Sequence, residues 1–426
     1  MLWLVLILGL IIMVVLDIPI LFILGVFSAG YFFLIGMDLT IIPPTLVGSV
    51  DSFTLLAVPI FIFVGFIMNA GGITSRLFKF ATNLVGHIPG GLGHVNVAAS
   101  VIFAGMSGSS IADAAGLGAV EIKAMTDAGY DREFSAGITT ASSLIGPIIP
   151  PSVPMVVFCG VSGASLGRLL LSGIIPGLMM AGALMLLVYW VSIKKKYPVC
   201  PAPTFKQFFQ SLFDAIPALL TPIILLAGII SGMFTPTESA LVAAAYAIIV
   251  SFFVYREMGL KDLLKVCTDT MVTTGAVLGL LAMASVFARI MALEGVAAKL
   301  LNMPEIANMS PIALLFSLNI ILLFIGCFMQ VTPSIILFGP ILLPMVQQAG
   351  IDPVHFGLIM VLNLVVGTVT PPVAASLFAV ASVANIPPMR VFKATLPFLV
   401  PILIVLLLVT YIPALSLFIP NMVFGK

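Results

Sequence analysis

Apolar runs long enough to cross a bilayer recur along this chain from its first segment to its last, and they leave little room for a water-soluble fold. A membrane-spanning helix needs about 20 mostly apolar residues, within a range near 17–25. Residues 18–37, 53–70, 170–193, 214–232, 236–255, 269–290 and 395–419 meet that requirement, and Met1 to Asp17 is a shorter candidate. Charged residues make up only 8% of the 426, against about 25% in soluble domains. So few charges cannot cover a surface in water, and the chain reads as an integral membrane protein. The runs are continuous rather than alternating, which excludes a β-barrel. Helices are the remaining way to satisfy the backbone in lipid.

The same residues remove other classes. Lys+Arg 17 against Asp+Glu 16 leaves a net charge of +1, so bulk electrostatics attract no nucleic acid. Cys159, Cys200, Cys267 and Cys327 lie far apart, which fits buried free thiols better than a disulfide scaffold. Met1 to Val15 lacks the basic start of a signal peptide, so the first segment is expected to be retained.

The chain is a duplication. At a constant offset of 221 residues Gly105 falls on Gly326, Gly118 on Gly339, Asp131 on Asp352, Gly146 on Gly367 and Pro150-Pro151 on Pro371-Pro372. Apolar composition alone would match Leu with Val at scattered offsets, not Gly, Pro and Asp at one. The reading is a first repeat over 1–193, a polar linker over 194–213 beginning with Lys194, Lys195 and Lys196, and a second repeat over 214–426. Equivalent loops carry opposite charge bias: Arg256, Lys261 and Lys265 have no basic counterpart near 35–44, and Lys123 and Arg132 have none near 342–354. The positive-inside rule places such loops on opposite sides of the membrane. The expected fold is therefore an all-α membrane protein of two inverted repeats, with ten crossings and two re-entrant helical hairpins, near 91–120 and 312–341, and Met1 outside. Internal repeats of this kind mark many secondary transporters.

The densest polar segment is GMSGSSIADAAGLG, Gly105 to Gly118. Irregular backbone at membrane depth survives only inside protein or beside a water-filled cavity. Close helix packing by small residues is the competing explanation for one such cluster. The segments SSLIGPIIPPSVP (Ser142 to Pro154) and VVGTVTPPVAAS (Val365 to Ser376) decide between them. Each Pro-Pro pair breaks a helix and frees carbonyls in the preceding turn, giving interrupted helices over 134–166 and 355–385. Hard cations such as sodium take oxygen ligands, and unwound carbonyls with hydroxyls supply them. One cation is expected among Ser107, Ser110 and the carbonyls of Gly146, Ile149 and Pro151. A second is expected among Gly326, Thr332, Gly367, Thr370 and Val373.

Ionisable groups within spans are functional candidates. Glu238, in FTPTESA, either faces the cavity or caps a helix after Thr237. Arg289 either binds a substrate carboxylate or snorkels to the interface. Asp113 is either a ligand or a solvated turn residue. Gln330 and Ser165 complete the candidate substrate-contacting set. His87, His94 and His355 lack metal-site spacing and carboxylate partners, and no phosphate-binding motif is present. An intramembrane enzyme would need a nucleophile–base pair that these residues do not offer. Two repeats in one chain do not form the symmetric ring of a typical channel filter. A secondary transporter is the reading left, with a stand-alone carboxylate symporter as its nearest rival.

Nearly the whole chain resembles the large membrane subunit of tripartite ATP-independent periplasmic transporters. The resemblance rests on GMSGSSIADAAGLGAVEIKAM (Gly105–Met125), IGPIIPPSVPMVVF (Ile145–Phe158), GMFTPTESALVAAAYA (Gly232–Ala247) and GTVTPPVAASLF (Gly367–Phe378). It implies import of a small carboxylate, coupled to two or more sodium ions, across a bacterial inner membrane. It also implies an elevator motion of a transport domain against a scaffold, a small four-helix membrane subunit and a periplasmic substrate-binding protein. By motif, Ser107, Ser110, Gly146, Ile149 and Pro151 match its first sodium site, and Gly326, Gly367, Thr370 and Val373 its second. Glu238 falls in its FTPTE signature. Gln330 stands where relatives often carry an acid, and Ala374 where they often carry Gly.

Overall fold

The computed structural model describes residues 20–51, 53–295, 299 and 309–425, all helix and connecting loop with no strand among them. The candidate span Met1 to Asp17 lies outside the described residues. Helices α1 (Ile20–Leu34), α2 (Ile42–Val50) and α3 (Ala57–Ala70) come first, and α3 bends by 73° into α4 (Ile73–Val85). A hairpin follows, with α5 (Gly91–Ser107) running in and α6 (Gly118–Asp127) running out. The first broken helix is α7 (Arg132–Ser142) and α8 (Val153–Ser162), and α9 (Leu166–Ser172) leads into α10 (Ile174–Lys195).

The second half opens with α11 (Phe205–Ile230), α12 (Pro236–Ile249) and the long α13 (Leu260–Leu293). It then repeats the pattern: hairpin α14 (Pro311–Phe328) and α15 (Val331–Gln348), broken helix α16 (Pro353–Gly367) and α17 (Ala375–Ala384), then α18 (Pro388–Tyr411) and α19 (Ala414–Phe424). Arg132 and Pro353, which open α7 and α16, stand at the same offset as the glycines and prolines of the sequence repeat. Among the described residues seven helical segments, α9 with α10 taken as one, are long and apolar enough to cross a membrane, or eight if the bent α3–α4 pair is one span. At 1.5 Å per residue α13 is about 51 Å long, well beyond a hydrocarbon core of about 30 Å.

Packing sorts the helices into two groups. α13 lies along α1, α2 and α3, and α12 packs on α3 and α11. The hairpins and broken helices pack on one another: α7 on α18, α14 on α16, α8 on α15 and α5 on α10. The two groups meet where α3 touches α5 and α8 and where α13 touches α15, and α4 bridges them by packing on both α5 and α11. Every residue of α16 from Val354 to Gly367 is buried, as expected of a helix that is apolar all round.

Polar links repeat in both halves. Asn96 on α5 donates to Glu121 on α6 (2.8 Å) and Thr139 on α7 (2.7 Å), and accepts from Ser142 (2.7 Å). In the second half Asn363, the counterpart of Ser142, donates to Asn319 on α14 (2.7 Å), and Asn319 donates to Thr410 on α18 (3.1 Å). Ion pairs follow the same plan: Arg168 reaches Asp352 at the start of α16 (3.9 Å), and Arg390 reaches Glu133 at the start of α7 (3.8 Å). Outside the membrane, hydrogen bonds from Lys195 and Tyr197 hold the Asp131 carboxyl below the usual carboxylate range.

Boundaries differ from the sequence reading in several places, among them the start of α13, at Leu260 rather than the expected 269. α11 begins at Phe205, inside the expected linker, because Thr204 and Gln207 form a capping box that starts a helix there. The expected span 395–419 stops at Tyr411 and resumes at Ala414 as α19, the chain turning at Ile412 and Pro413.

The Pro150–Pro151 and Pro371–Pro372 bonds are both cis. After the second pair the chain turns back into α17 through Ala374, which has φ +37° and is buried. That left-handed region costs a residue with a Cβ about 1–2 kcal/mol and costs glycine little. Ala374→Gly should therefore raise stability by about 1 kcal/mol, after allowing for glycine's looser unfolded chain, read as a higher unfolding temperature in detergent. Gly367→Ala should do the opposite, because its Cβ would lie inside the backbone of Gly326, and correctly folded protein should be lost on size-exclusion chromatography.

Candidate functional site

The first hairpin turns at Gly108. Its φ of +58° favours glycine, and a Cβ there would also come within 2.6 Å of the Pro151 carbonyl oxygen. The hairpin tip is thus seated against the break of the first broken helix. Ser109 caps the following turn, Ser110–Ala112, by accepting from the Ala112 N–H. Asp113–Leu117 then forms one wide π-turn before α6.

Ser107 donates a short hydrogen bond to one carboxylate oxygen of Asp113. Asp113 is 2% exposed, which removes the solvated-turn reading. Its second oxygen, Oδ2, is buried without a hydrogen-bond partner and lies directly over Gly146, where any Cβ would meet it. The carbonyls of Gly146, Ile149 and Pro151 accept no hydrogen bond among the described residues. Ser110 is buried, and Ser376 at the start of α17 lies 3.0 Å from its hydroxyl and 3.3 Å from that of Thr368. The tip therefore touches the broken helices of both repeats. Ile149 points its side chain at Gly177 on α10.

The second hairpin makes the matching contact more tightly. Gly326 and Gly367 meet backbone to backbone, so that a Cβ on Gly326 would lie 3.1 Å from the Gly367 Cα. Val373 donates its N–H to the Cys327 carbonyl at 3.1 Å. Thr370 bonds its hydroxyl to the Val366 carbonyl (3.2 Å), and the carbonyls of Thr370 and Val373 accept no hydrogen bond among the described residues. Gly326, Gly367, Thr370 and Val373 are thus brought together, while Thr332 faces the neighbouring cavity.

That cavity, of about 380 Å³, lies between the two groups of helices. Ser107, Ser110, Gln330, Thr332 and Thr368 line one side, and α3 and α13 line the other. No charged side chain lines it among the described residues. Of the candidate substrate-contacting residues Gln330 is at this cavity. Glu238 closes a capping box with Thr235, accepting from its N–H at 2.8 Å, and sits at the start of α12. Arg289 is exposed near the end of α13, and Ser165 caps α9. These three do not line the cavity.

Sequence reasoning missed Ser376, Asn69 and the Asn96–Glu121–Thr139 group. Hydroxyls and amides inside apolar helices carry no periodic mark, so only their packing partners reveal them. Asn69 did leave one trace: it continues the spacing Ile62, Gly65, Phe66 along a single face of α3.

Comparison with known proteins agrees with this geometry. Residues 1–415 match the family model described as tripartite ATP-independent periplasmic transporter, DctM component. A sialic acid TRAP transporter large permease protein of Vibrio cholerae is 44% identical over 89% of each chain. A C4-dicarboxylate TRAP transporter large permease protein of Pseudomonas aeruginosa is 40% identical over 87% of each. The sialic acid TRAP transporter permease protein of Haemophilus influenzae is 44% identical over 88% of this chain, which spans 61% of that longer protein. Among solved structures, the YdaH transporter of Alcanivorax borkumensis is similar in fold, with a TM-score of 0.62, 16% identity and 86% of each chain covered. The paired hairpins and broken helices, the apolar spans and the family match lead to one conclusion: the chain belongs to the DctM component of the tripartite ATP-independent periplasmic transporters and is a multi-pass permease subunit of the inner membrane.

Proposed function

We propose that this permease imports a small organic acid anion together with sodium ions, and receives the acid from a periplasmic binding protein. A small four-helix membrane subunit is its expected partner in the bilayer. The observation that carries the sodium reading is the buried, partnerless Oδ2 of Asp113 over Gly146, in a segment where the carbonyls of Gly146, Ile149 and Pro151 accept no hydrogen bond, beside a cavity with no charged lining among the described residues. A buried carboxylate without a counter-charge is costly, and a hard cation bound among those oxygens supplies one.

The chain's own residues then explain coupling. An organic anion in this cavity meets hydroxyls, the Gln330 amide and apolar walls, which alone compensate its charge poorly. Cations at the two hairpin tips bring positive charge next to the cavity and hold the tips against the breaks. Sodium thereby raises affinity for the acid, and the acid raises affinity for sodium by the same factor. We assign the hairpins and broken helices, with α18, to a moving transport unit, and α1–α3 with α11–α13 to a fixed scaffold. The unit would slide along α3 and α13 as an elevator. The relatives named for sialic acid and C4-dicarboxylates make N-acetylneuraminate and succinate the probes to try first.

Unfolding of the purified protein should be compared in sodium and in matched choline. Sodium at 100 times its dissociation constant should stabilise the wild type by about 2.7 kcal/mol. Asp113→Asn and Ser110→Ala should lose most of that rise. Equal unfolding temperatures in both salts would argue against sodium at the first hairpin.

Uptake into proteoliposomes carrying both membrane subunits and fed by the binding protein tests coupling directly. Transport of N-acetylneuraminate or succinate should fall to background when potassium replaces sodium outside. Uptake at full rate in potassium would overturn sodium coupling, and uptake of neither probe in sodium would overturn the organic-acid assignment.

A further inference from the structure

The cavity wall formed by α3 and α13 is almost wholly apolar. α3 presents Ile62, Gly65, Phe66 and Asn69, and α13 presents Thr273 and three apolar residues at the same helical spacing. Each stripe thus ends in one polar side chain. The Thr273 hydroxyl is already committed, donating to the Asp269 carbonyl at 2.8 Å. The Asn69 amide is exposed and has no hydrogen-bond partner among the described residues. Among the described residues it is the one uncommitted polar side chain on this wall.

Its position is held by the first hairpin. A Cβ on Gly116 would come within 3.2 Å of Asn69 Oδ1, so the missing side chain of Gly116 is the seat on which the amide rests. One turn earlier on α3, Gly65 abuts the carbonyls of Met106 and Ser107, at 3.3 and 3.4 Å from where its Cβ would lie. Asn69 is therefore aligned with the hairpin tip, and the exposed amide of Gln330 enters the same cavity from the second hairpin.

We propose that Asn69 is a specificity-determining, substrate-contacting residue. Its Nδ2 donates to an oxygen of the bound acid, and with Gln330 it favours acids bearing a second oxygen function, carboxylate or hydroxyl, away from the first. This assignment rests on the organic-acid reading above. Binding displaces no existing hydrogen bond of Asn69, so the new one is gained without a compensating loss. Because the amide is neutral, it also leaves a second negative charge unopposed by any like charge in the wall.

The experiment measures proteoliposome uptake of succinate and N-acetylneuraminate by the wild type, Asn69→Ala, Gly116→Ala and the double variant, with inhibition by butyrate, which has no second oxygen function. Losing a hydrogen bond to a charged group should raise KM for the carried probe about tenfold, with Vmax within about twofold because the contact is lost from ground and transition states alike. Butyrate inhibition should not change. Gly116→Ala should raise KM less than Asn69→Ala, and the double variant should be no worse than Asn69→Ala alone, since both act through one amide. A KM within twofold of wild type in Asn69→Ala, or butyrate inhibition weakened by the same factor as KM, would overturn the assignment and leave Asn69 a packing residue. A wild type that carries neither probe would overturn the organic-acid reading and this assignment with it.

Discussion

A helix broken at membrane depth has no water to take up the backbone groups it releases, and everything distinctive in this fold follows from that constraint. Each break is covered by a hairpin tip. Gly108 lies on the Pro151 carbonyl in the first half, and Gly326 lies on Gly367 in the second, with the Val373 N–H satisfied by Cys327. Only glycine lets backbones approach this closely. The price of an irregular chain is thus reduced wherever a bond is found, and the carbonyls left over are the ones to which we assign cations in the proposed function.

A second requirement is that hairpins stay in register with the helices they cover. Asn96 and Asn319, on the ingoing arms of the two hairpins, perform that task, Asn319 standing two residues beyond the position that matches Asn96. Each is bonded to the residue at the same repeat position of its broken helix, Ser142 in one half and Asn363 in the other, and in both halves the asparagine Oδ1 is the acceptor. Polar hubs of this kind cost least in the arrangement that engages most of their groups, so they favour one seating of hairpin on helix, with only Glu121 Oε1 and Asn363 Oδ1 left unpartnered in them among the described residues. The wall across the cavity is of the opposite character. α3 and α13 present apolar stripes to the hairpins, and the sliding that we propose would break no polar network there.

The duplication, the two hairpins and the two interrupted helices were legible because Gly, Pro and Asp recur at one offset, and those residue types dictate backbone geometry directly. The beginning of α11 was not, since an apolar-run criterion ignores a polar first turn that Thr204 and Gln207 cap. Of the site, Ser107, Ser110, Gly146 and Pro151 were legible as a hydroxyl cluster and a broken turn. The burial of Asp113 was not: an acid in a Gly-Ser hairpin reads equally as solvated or enclosed until the covering helix is known. Glu238 shows the reverse, a residue whose FTPTE context suggested the substrate path and whose carboxylate caps its own helix here.

The sequence by itself determined that this chain lives in a membrane, that it is all helical and duplicated, and where its helices break. Those properties depend on composition, on period and on residues with restricted backbones, all of which are local. Only the tertiary structure decided which hairpin covers which break, that Ser376 of the second half reaches Ser110 of the first, and that Asn69 and Gln330 share one cavity. Those pairings join residues far apart in the chain through packing of nearly uniform apolar surfaces, and such surfaces carry no mark of their partner in the sequence.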